Sequence, residues 1–405
     1  MQIYLDNSAT TKVNKEVAAS VYRMMTEDYG NPSSLHTLGQ DAERTVRQAR
    51  HQIAFVLGAR AGQIVFTGSG SEADNLAFAS VFHSPARIPG RKILISALEH
   101  PAVREPAAYY ESLGAEVVRI PVHESGTIDL DFLRGALDET VAMISVMHVS
   151  NEIGTIQPIR EIVKIIAGLK NEPGKDVRFH VDAIQSFSKL PIDVVTGDFF
   201  GVDMISLSSH KIHGPKGVGA LYAAKPEKLH PMIRGGGQEF GVRSGTENVP
   251  AIVGFGQAAR IESAEQIAHA KQAADCRKYL MDRIVNHFGN ECRINSPSES
   301  SLTGAPGLCS PYILSVSFPG TRGEVIVHDL ERNGIFVSTG SACSSISRSN
   351  GSISPTLAAI GLSAAEAQGT LRFSFSRHNQ IGEMDCVLEH LIGAVGRFNL
   401  VGTRR

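Results

Sequence analysis

With 405 residues, 39 Lys and Arg against 41 Asp and Glu and a formal charge of −2 at pH 7, the chain shows no basic stripe of the kind nucleic-acid binding needs. No run of about 18 uncharged apolar residues suggests a membrane span, and the opening MQIYLDNSATT lacks a basic region followed by an apolar stretch. The expectation is a soluble, cytoplasmic protein, long enough for a large and a small domain with a deep small-molecule site between its elements.

Taken from the amino end, Leu38, Ala42, Val46, Ala49, Ile53 and Leu57 keep a three-or-four spacing that predicts a helix with one face in the core. Short β-rich runs then alternate with helix-length stretches: IVFTG (64–68), KILIS (92–96), EVVRI (116–120), VAMISVMHV (141–149), VRFHVD (177–182) and VDMISLSSH (202–210). That rhythm predicts an α/β fold whose mostly parallel sheet is covered by helices on both faces. Ligands of such sheets gather at the carboxyl ends of the strands. Residues 248–288 read as one long helix and 295–307 as a polar loop, with a domain change near 255–265. Beyond it, YILSVSFP (312–319), the helix EVIVHDLERNG, LRFSF (371–375) and a last helix with Met384, Leu388, Leu391 and Val395 make a smaller α+β unit. SSISRSNGSIS (344–354), with six Ser in eleven residues, is expected to be a mobile loop.

Candidate chemistry sits at the strand ends. In SLSSHKIHGPKGVGALY an apolar run ends in Ser208, Ser209, His210 and Lys211, followed by a Gly-Pro turn and a return strand. A lysine there is placed for Schiff-base chemistry, because partial burial disfavours the ammonium, and Ser208 and His210 could bond a phosphate. Lys216, five residues on, is a rival in a turn. Asp182 ends the strand VRFHV, where a carboxylate can keep a pyridine nitrogen protonated, with Gln185 three positions on to meet a ring oxygen. The same pair also reads as a helix N-cap with its capping-box partner. Gly68, Ser69, Gly70 and Ser71 follow a strand and open a helix at Glu72, which offers free N–H groups to an anion. His100 could lay its ring on a flat cofactor and move protons, or be a loop residue before Pro101. Arg372, entering LRFSF, is either a carboxylate clamp or a structural arginine.

The five cysteines are an odd number without a CxxC pair, which speaks against a disulfide framework or a zinc site. Cys343 differs from the rest because STGSACSS surrounds it with small polar groups, the exposed setting a sulfur-carrying thiol needs. Cys276 and Cys386 read as inert residues of helices.

YLDNSATT (4–11), GNPSSLH (30–36), FTGSGSEADN (66–75), EHPAV (99–103), HVSNEIG (148–154), HVDAIQS (180–186), SSHKIHGPKG (208–217), GGGQEFGVRSGTEN (235–248), STGSAC (338–343) and RFSFSR (372–377) together resemble the cysteine desulfurases. These belong to the class V aminotransferase superfamily of pyridoxal 5'-phosphate (PLP) fold type I. GSAC followed by a long polar loop is similar to the branch that serves iron–sulfur cluster assembly and tRNA thiolation. The resemblance implies a homodimeric enzyme that converts L-cysteine to L-alanine and hands sulfur, held as a persulfide on Cys343, to an acceptor such as an iron–sulfur scaffold protein. It implies that Lys211 binds PLP covalently, that Gly70, Ser71, Ser208 and His210 hold its phosphate with Thr246 of a second subunit, and that Asp182 and Gln185 meet its ring nitrogen and oxygen. His100 would stack on the ring, and Asn151 and Arg372 would bind the substrate carboxylate, Asn151 also lying near the ring oxygen. The implied division is a large PLP-binding domain over 15–260 and a small domain, 1–14 with 261–405, carrying Cys343. Other PLP chemistry, an aminotransferase or selenocysteine lyase, is the competing reading. A catalytically silent sulfur-relay subunit is a third, against which Lys211, Asp182, His100 and Cys343 speak together.

Overall fold

The computed structural model describes residues 2–170, 176–339 and 353–402. The chain opens with a short strand Ile3–Tyr4 (β1) and helices Lys15–Thr26 (α1) and Thr37–Val56 (α2). It then alternates Ile64–Thr67 (β2), Gly70–Val81 (α3), Lys92–Ser96 (β3), Pro101–Ser112 (α4), Glu116–Ile120 (β4), Leu130–Ala136 (α5), Val141–Met147 (β5), Ile159–Lys170 (α6), Arg178–Asp182 (β6), Met204–Ser208 (β7) and Gly219–Ala223 (β8). After Val249–Ala264 (α7) and Gln266–Phe288 (α8) come Arg293–Ile294 (β9), Ile313–Ser317 (β10), Gly323–Arg332 (α9), Ile335–Phe336 (β11), Pro355–Ala359 (α10), Ala364–Gln368 (α11), Thr370–Ser374 (β12) and Ile381–Gly402 (α12).

The central sheet has seven strands in the order β2-β8-β7-β6-β5-β3-β4. From β4 to β7 the pairs are parallel, whereas β8 runs antiparallel to both β7 and β2. Every residue of β5 and of β7 is buried, which is why these strands carry unbroken apolar runs rather than alternation. One face packs on α2, α6 and α7 through Ile53, Ile162, Phe179, Ile205 and Phe255; the other packs on α3 and α4 through Phe78, Val103, Ile93 and Leu221. The helix stripe read from the sequence holds from Ala42 to Leu57, while Leu38 is 44% exposed.

Residues 248–288 form two helices rather than the single one expected, with a break at Glu265 (φ −122°, ψ 29°). α7 turns Val249, Ile252, Phe255 and Ala259 to the sheet core. α8 turns Ala270, Ala273, Leu280 and Ile284 to a second core shared with β10, β12, α9 and α12. One straight helix cannot aim its apolar face in two directions, so the chain bends where the cores part. Ile3 and Leu5 join the second core, and β1 pairs with β11. The polar stretch from Asn295 is pinned by Arg277, buried to 1%, which donates to the carbonyls of Pro297, Ser298 and Ile313 and to Ser300 Oγ. No helix among the described residues is long and apolar enough to cross a membrane.

Candidate active site

A cavity of about 290 Å³ opens at the carboxyl ends of the parallel strands, where a doubly covered sheet places its ligands. Gly70, Ser71, His100, Asn151, Asp182, Gln185, Ser208, His210, Lys211 and Arg372 all line it, although they are scattered along the sequence from Gly70 to Arg372. Thr246 is exposed and does not line this cavity. Cys343 lies outside the described residues, as does the Ser-rich stretch up to residue 352.

Lys211 follows β7 by one short turn, and its Nζ donates to the backbone carbonyls of Ser8 (2.5 Å) and Ala9 (2.7 Å). The rival Lys216 is exposed and is not a lining residue, as its place in a turn suggests. His210, on the same turn, bonds Thr10 Oγ1 through Nδ1 (3.1 Å). Burial, then Lys211, Lys216 and Lys189, push its pKa down to about 4, leaving a neutral ring.

Asp182 ends β6 with 3% exposure. Its Oδ1 accepts from Ile184 N at 2.9 Å, but no α-helix follows, and Gln185 Nε2 donates to Ser8 O (3.0 Å) instead of closing a capping box. The capping alternative is thereby reduced to a single turn. Burial raises the carboxyl above its ordinary range, opposed by the Ile184 N–H and by Lys211. No ion pair reaches Asp182 among the described residues, so a cationic ring nitrogen would supply the missing counter-charge. Behind it His180 bonds Ser145 Oγ (2.8 Å) and Ser206 Oγ (2.9 Å), and Ser206 is the register partner of Asp182.

The turn after β2 starts its helix two residues earlier than expected, at Gly70, because Ser69 is the N-cap and accepts from Glu72 N (3.1 Å). The N–H groups of Gly70 and Ser71 precede the first intrahelical donor, Ala73, so they are available to an anion. A Cβ on Gly70 would lie 2.4 Å from Ile184 Cδ1, and one on Gly219 of β8 would lie 2.5 Å from the Ser69 carbonyl carbon. Backbone rules out a side chain at Gly219, whereas at Gly70 the tip of Ile184 would have to give way. Lysine, buried carboxyl and anion cup on one cavity form a donor set that fits PLP.

His100 is the N-cap of α4: its Nδ1 accepts from Ala102 N (3.1 Å), so the ring proton sits on Nε2. Burial, then Lys211 and Arg104, lower its pKa to about 4, and the ring is neutral at physiological pH. Arg372 is buried to 2%; it donates to Asp6 Oδ1 (2.9 Å) and to the carbonyl of Asn151 (2.9 Å), while its Nε has no partner. The arginine is therefore structurally anchored and lines the cavity as well. Sequence reading missed Ser8 and Ala9, which brace Lys211, and Glu99, Arg104, Glu152 and Thr356, which also line the cavity. Only Arg104 left a local signal, standing one helical turn after His100. Cys276 and Cys309 are fully buried, and burial pushes the Cys276 thiol up to about 11.

A lysine at the end of an inner strand, facing a buried aspartate and a glycine cup, defines a class V aminotransferase architecture, and the family described as Aminotransferase class-V matches residues 3–387. The chain is 42% identical to cysteine desulfurase IscS 1 of Archaeoglobus fulgidus, over 97% of both chains, and 37% identical to cysteine desulfurase IscS of Dictyoglomus turgidum, over 96% of this chain and 93% of that one. A solved NifS-like protein superposes with a TM-score of 0.87 at 34% identity, covering 98% of this chain and all (100%) of that one. SspA, solved in complex with cysteine, superposes with a TM-score of 0.77 at 34% identity over 94% of this chain and 100% of that one. The chain belongs to the class V aminotransferase family and, within it, to the cysteine desulfurases.

Proposed function

We propose that this protein is a PLP-dependent cysteine desulfurase, converting L-cysteine to L-alanine and passing the sulfur to Cys343 as a persulfide. The observation that carries the reading is Lys211 and the buried Asp182, which no ion pair reaches among the described residues, on one cavity with the Gly70–Ser71 cup. Bound PLP supplies an electron sink for charge that develops at the substrate Cα.

The residues divide the work. The N–H groups of Gly70 and Ser71, with Ser208 and His210, hold the phosphate. Asp182 would keep the ring nitrogen protonated, Gln185 and Asn151 would meet the ring oxygen, and His100 would stack on the ring, with Nε2–H as its exchangeable proton. Arg372 and Asn151 would fix the substrate carboxylate, and Lys211 would hold the cofactor and move the Cα proton. The Cys343 thiolate then attacks the substrate sulfur, whose bond to Cβ breaks, and the carbon skeleton is reprotonated and leaves as L-alanine. The described chain beside Cys343 supports its place in this scheme: Ser338 exchanges backbone bonds with Arg372 (3.2 and 2.7 Å), and Ser354 Oγ donates to the cavity residue Glu152 (2.7 Å).

We read the molecule as a homodimer in which Thr246 completes the partner's phosphate site. Support comes from the exposure of Thr246 and from large apolar side chains left in solvent, Tyr22 (66%), Met25 (64%), Tyr29 (68%), Leu35 (93%) and Phe240 (63%). The two hydrophobic cores support a division into a large domain over 15–260 and a small one made of 1–14 and 261–405. An acceptor in iron–sulfur cluster assembly and a cytoplasmic location belong to the same reading, which rests on the likeness to cysteine desulfurases. The test is the visible spectrum of the purified protein before and after L-cysteine, with alanine and sulfide assayed in the same tube. Equimolar alanine and sulfide is the expected result; colour without alanine would mean another PLP reaction, and a colourless protein that PLP cannot reconstitute would mean a silent subunit.

A further inference from the structure

Arg104 projects from α4 into the same cavity, one helical turn beyond His100. Its Nε is buried without a hydrogen-bond partner, and no ion pair joins Arg104 to any described residue. Residues 340–352 contain no Asp or Glu, so that stretch brings no carboxylate to it. The two acids within reach of its field are Glu99 and Glu152. Each already uses an oxygen elsewhere, Glu99 Oε1 on Met147 N (2.6 Å) and Glu152 Oε2 on Ser354. Burial raises the pKa of both, with Arg104 acting in the opposite sense, and neither forms an ion pair with the guanidinium among the described residues.

A cation left unpaired on a cavity wall is costly unless a ligand supplies the anion. The substrate carboxylate is not that anion, because Arg372 and Asn151 are placed for it; a second guanidinium is surplus for an amino acid with a neutral side chain. Arg104 instead lines the cavity from α4, one helical turn beyond His100, a different element from the β12 strand that carries Arg372. We propose that Arg104 makes this site selective for amino acids whose β-carbon bears a negatively charged group, the ionised thiol of cysteine being the substrate case. The proposal rests on the reading of the cavity as an amino-acid site. A free thiol titrates near 8.5, and an opposite charge within about 4–6 Å favours the anion by one to three pH units. A hydrogen or hydroxyl at the same carbon gains nothing from the cation.

The experiment uses the PLP-loaded enzyme as wild type, Arg104→Leu and Arg104→Lys. Dissociation constants for L-alanine, L-serine and L-aspartate are measured by calorimetry, and KM for L-cysteine by initial rates. Arg104→Leu is expected to weaken aspartate binding and raise the cysteine KM by about 10- to 100-fold, the worth of one charge-assisted hydrogen bond. Alanine and serine should be unaffected, and Arg104→Lys should recover part of the loss. Equal weakening of alanine and aspartate, or no change in either, overturns the proposal, as does a wild type that binds none of the three. The desulfurase reading is scored separately, by alanine and sulfide release from L-cysteine: their absence beside an intact charge preference removes that reading and leaves Arg104 as an anion-selecting residue.

Discussion

The amine of Lys211 is held between two carbonyls of one strand-end segment, Ser8 O at 2.5 Å and Ala9 O at 2.7 Å. That segment is in turn tied to the far unit, since Ser8 N donates to Ser374 Oγ (2.9 Å) and Asn7 Nδ2 to Ser374 O (2.8 Å). The aim of the lysine therefore depends on packing between the sheet and β12.

Lys211→Ala should leave a folded protein that no longer holds cofactor covalently, with visible absorbance and alanine formation both lost. Ser374→Ala should keep the colour but lower turnover by about tenfold, because a misaligned reacting group costs rate before it costs binding. Absorbance and initial rates on the two variants check this; a Ser374→Ala enzyme with wild-type turnover would show that the segment does not position the lysine.

Asp182→Asn separates the two roles the sequence allowed. The amide can still accept from Ile184 N, so the turn survives, but it cannot carry the charge a protonated ring nitrogen needs. Thermal stability should stay near wild type while turnover falls by about 100-fold or more, the scale of one lost electrostatic contact in a buried site. If the variant unfolded with its activity, the turn would be the main role of this residue.

The strands were legible because burial on both faces leaves runs such as VAMISVM with no polar interruption, and the site lysine because it closes such a run. Other features depend on distance in space. The Glu265 break is invisible in SAEQIAHA, which holds neither Gly nor Pro; only the divergence of two cores forces it. Ser8 and Ala9 reach Lys211 across some 200 residues. Glu152 lies beside Asn151 in the sequence, yet nothing local marks its bond to Ser354.

Arg50 and Glu239 form a buried two-pronged ion pair at 2.7 and 2.6 Å, and Glu239 also accepts from Phe66 N (2.8 Å). Glu239 and Phe240 have left-handed backbones (φ 48° and 59°), so the pair secures a strained turn leading to Thr246. Glu239→Gln should destabilise by about 3 kcal/mol, as removal of one partner strands a buried charge. The double variant Arg50→Met, Glu239→Leu should lose less than the sum of the single changes, a non-additivity that denaturant unfolding measures.

His148 is 3% exposed, its ring set edge-on to Phe199 at 4.8 Å. Burial lowers its pKa to about 3, from 6.5. Between those values the unfolded chain binds a proton that the folded chain refuses, so stability falls as pH drops from about 6.5 toward 3. At pH 5 one such histidine costs about 2 kcal/mol relative to neutral pH, at ~1.4 kcal/mol per unit. Asp74 and Glu99, whose pKa values burial raises, act in the opposite sense, losing stability as pH rises through their range, so the wild-type profile is a sum. His148→Phe removes one titration and leaves the carboxyls in place. The difference between the two proteins should therefore widen in favour of the variant between pH 7 and pH 5, read from denaturation midpoints at both values. Parallel midpoints would mean that His148 takes up its proton in the folded state as easily as in the unfolded chain.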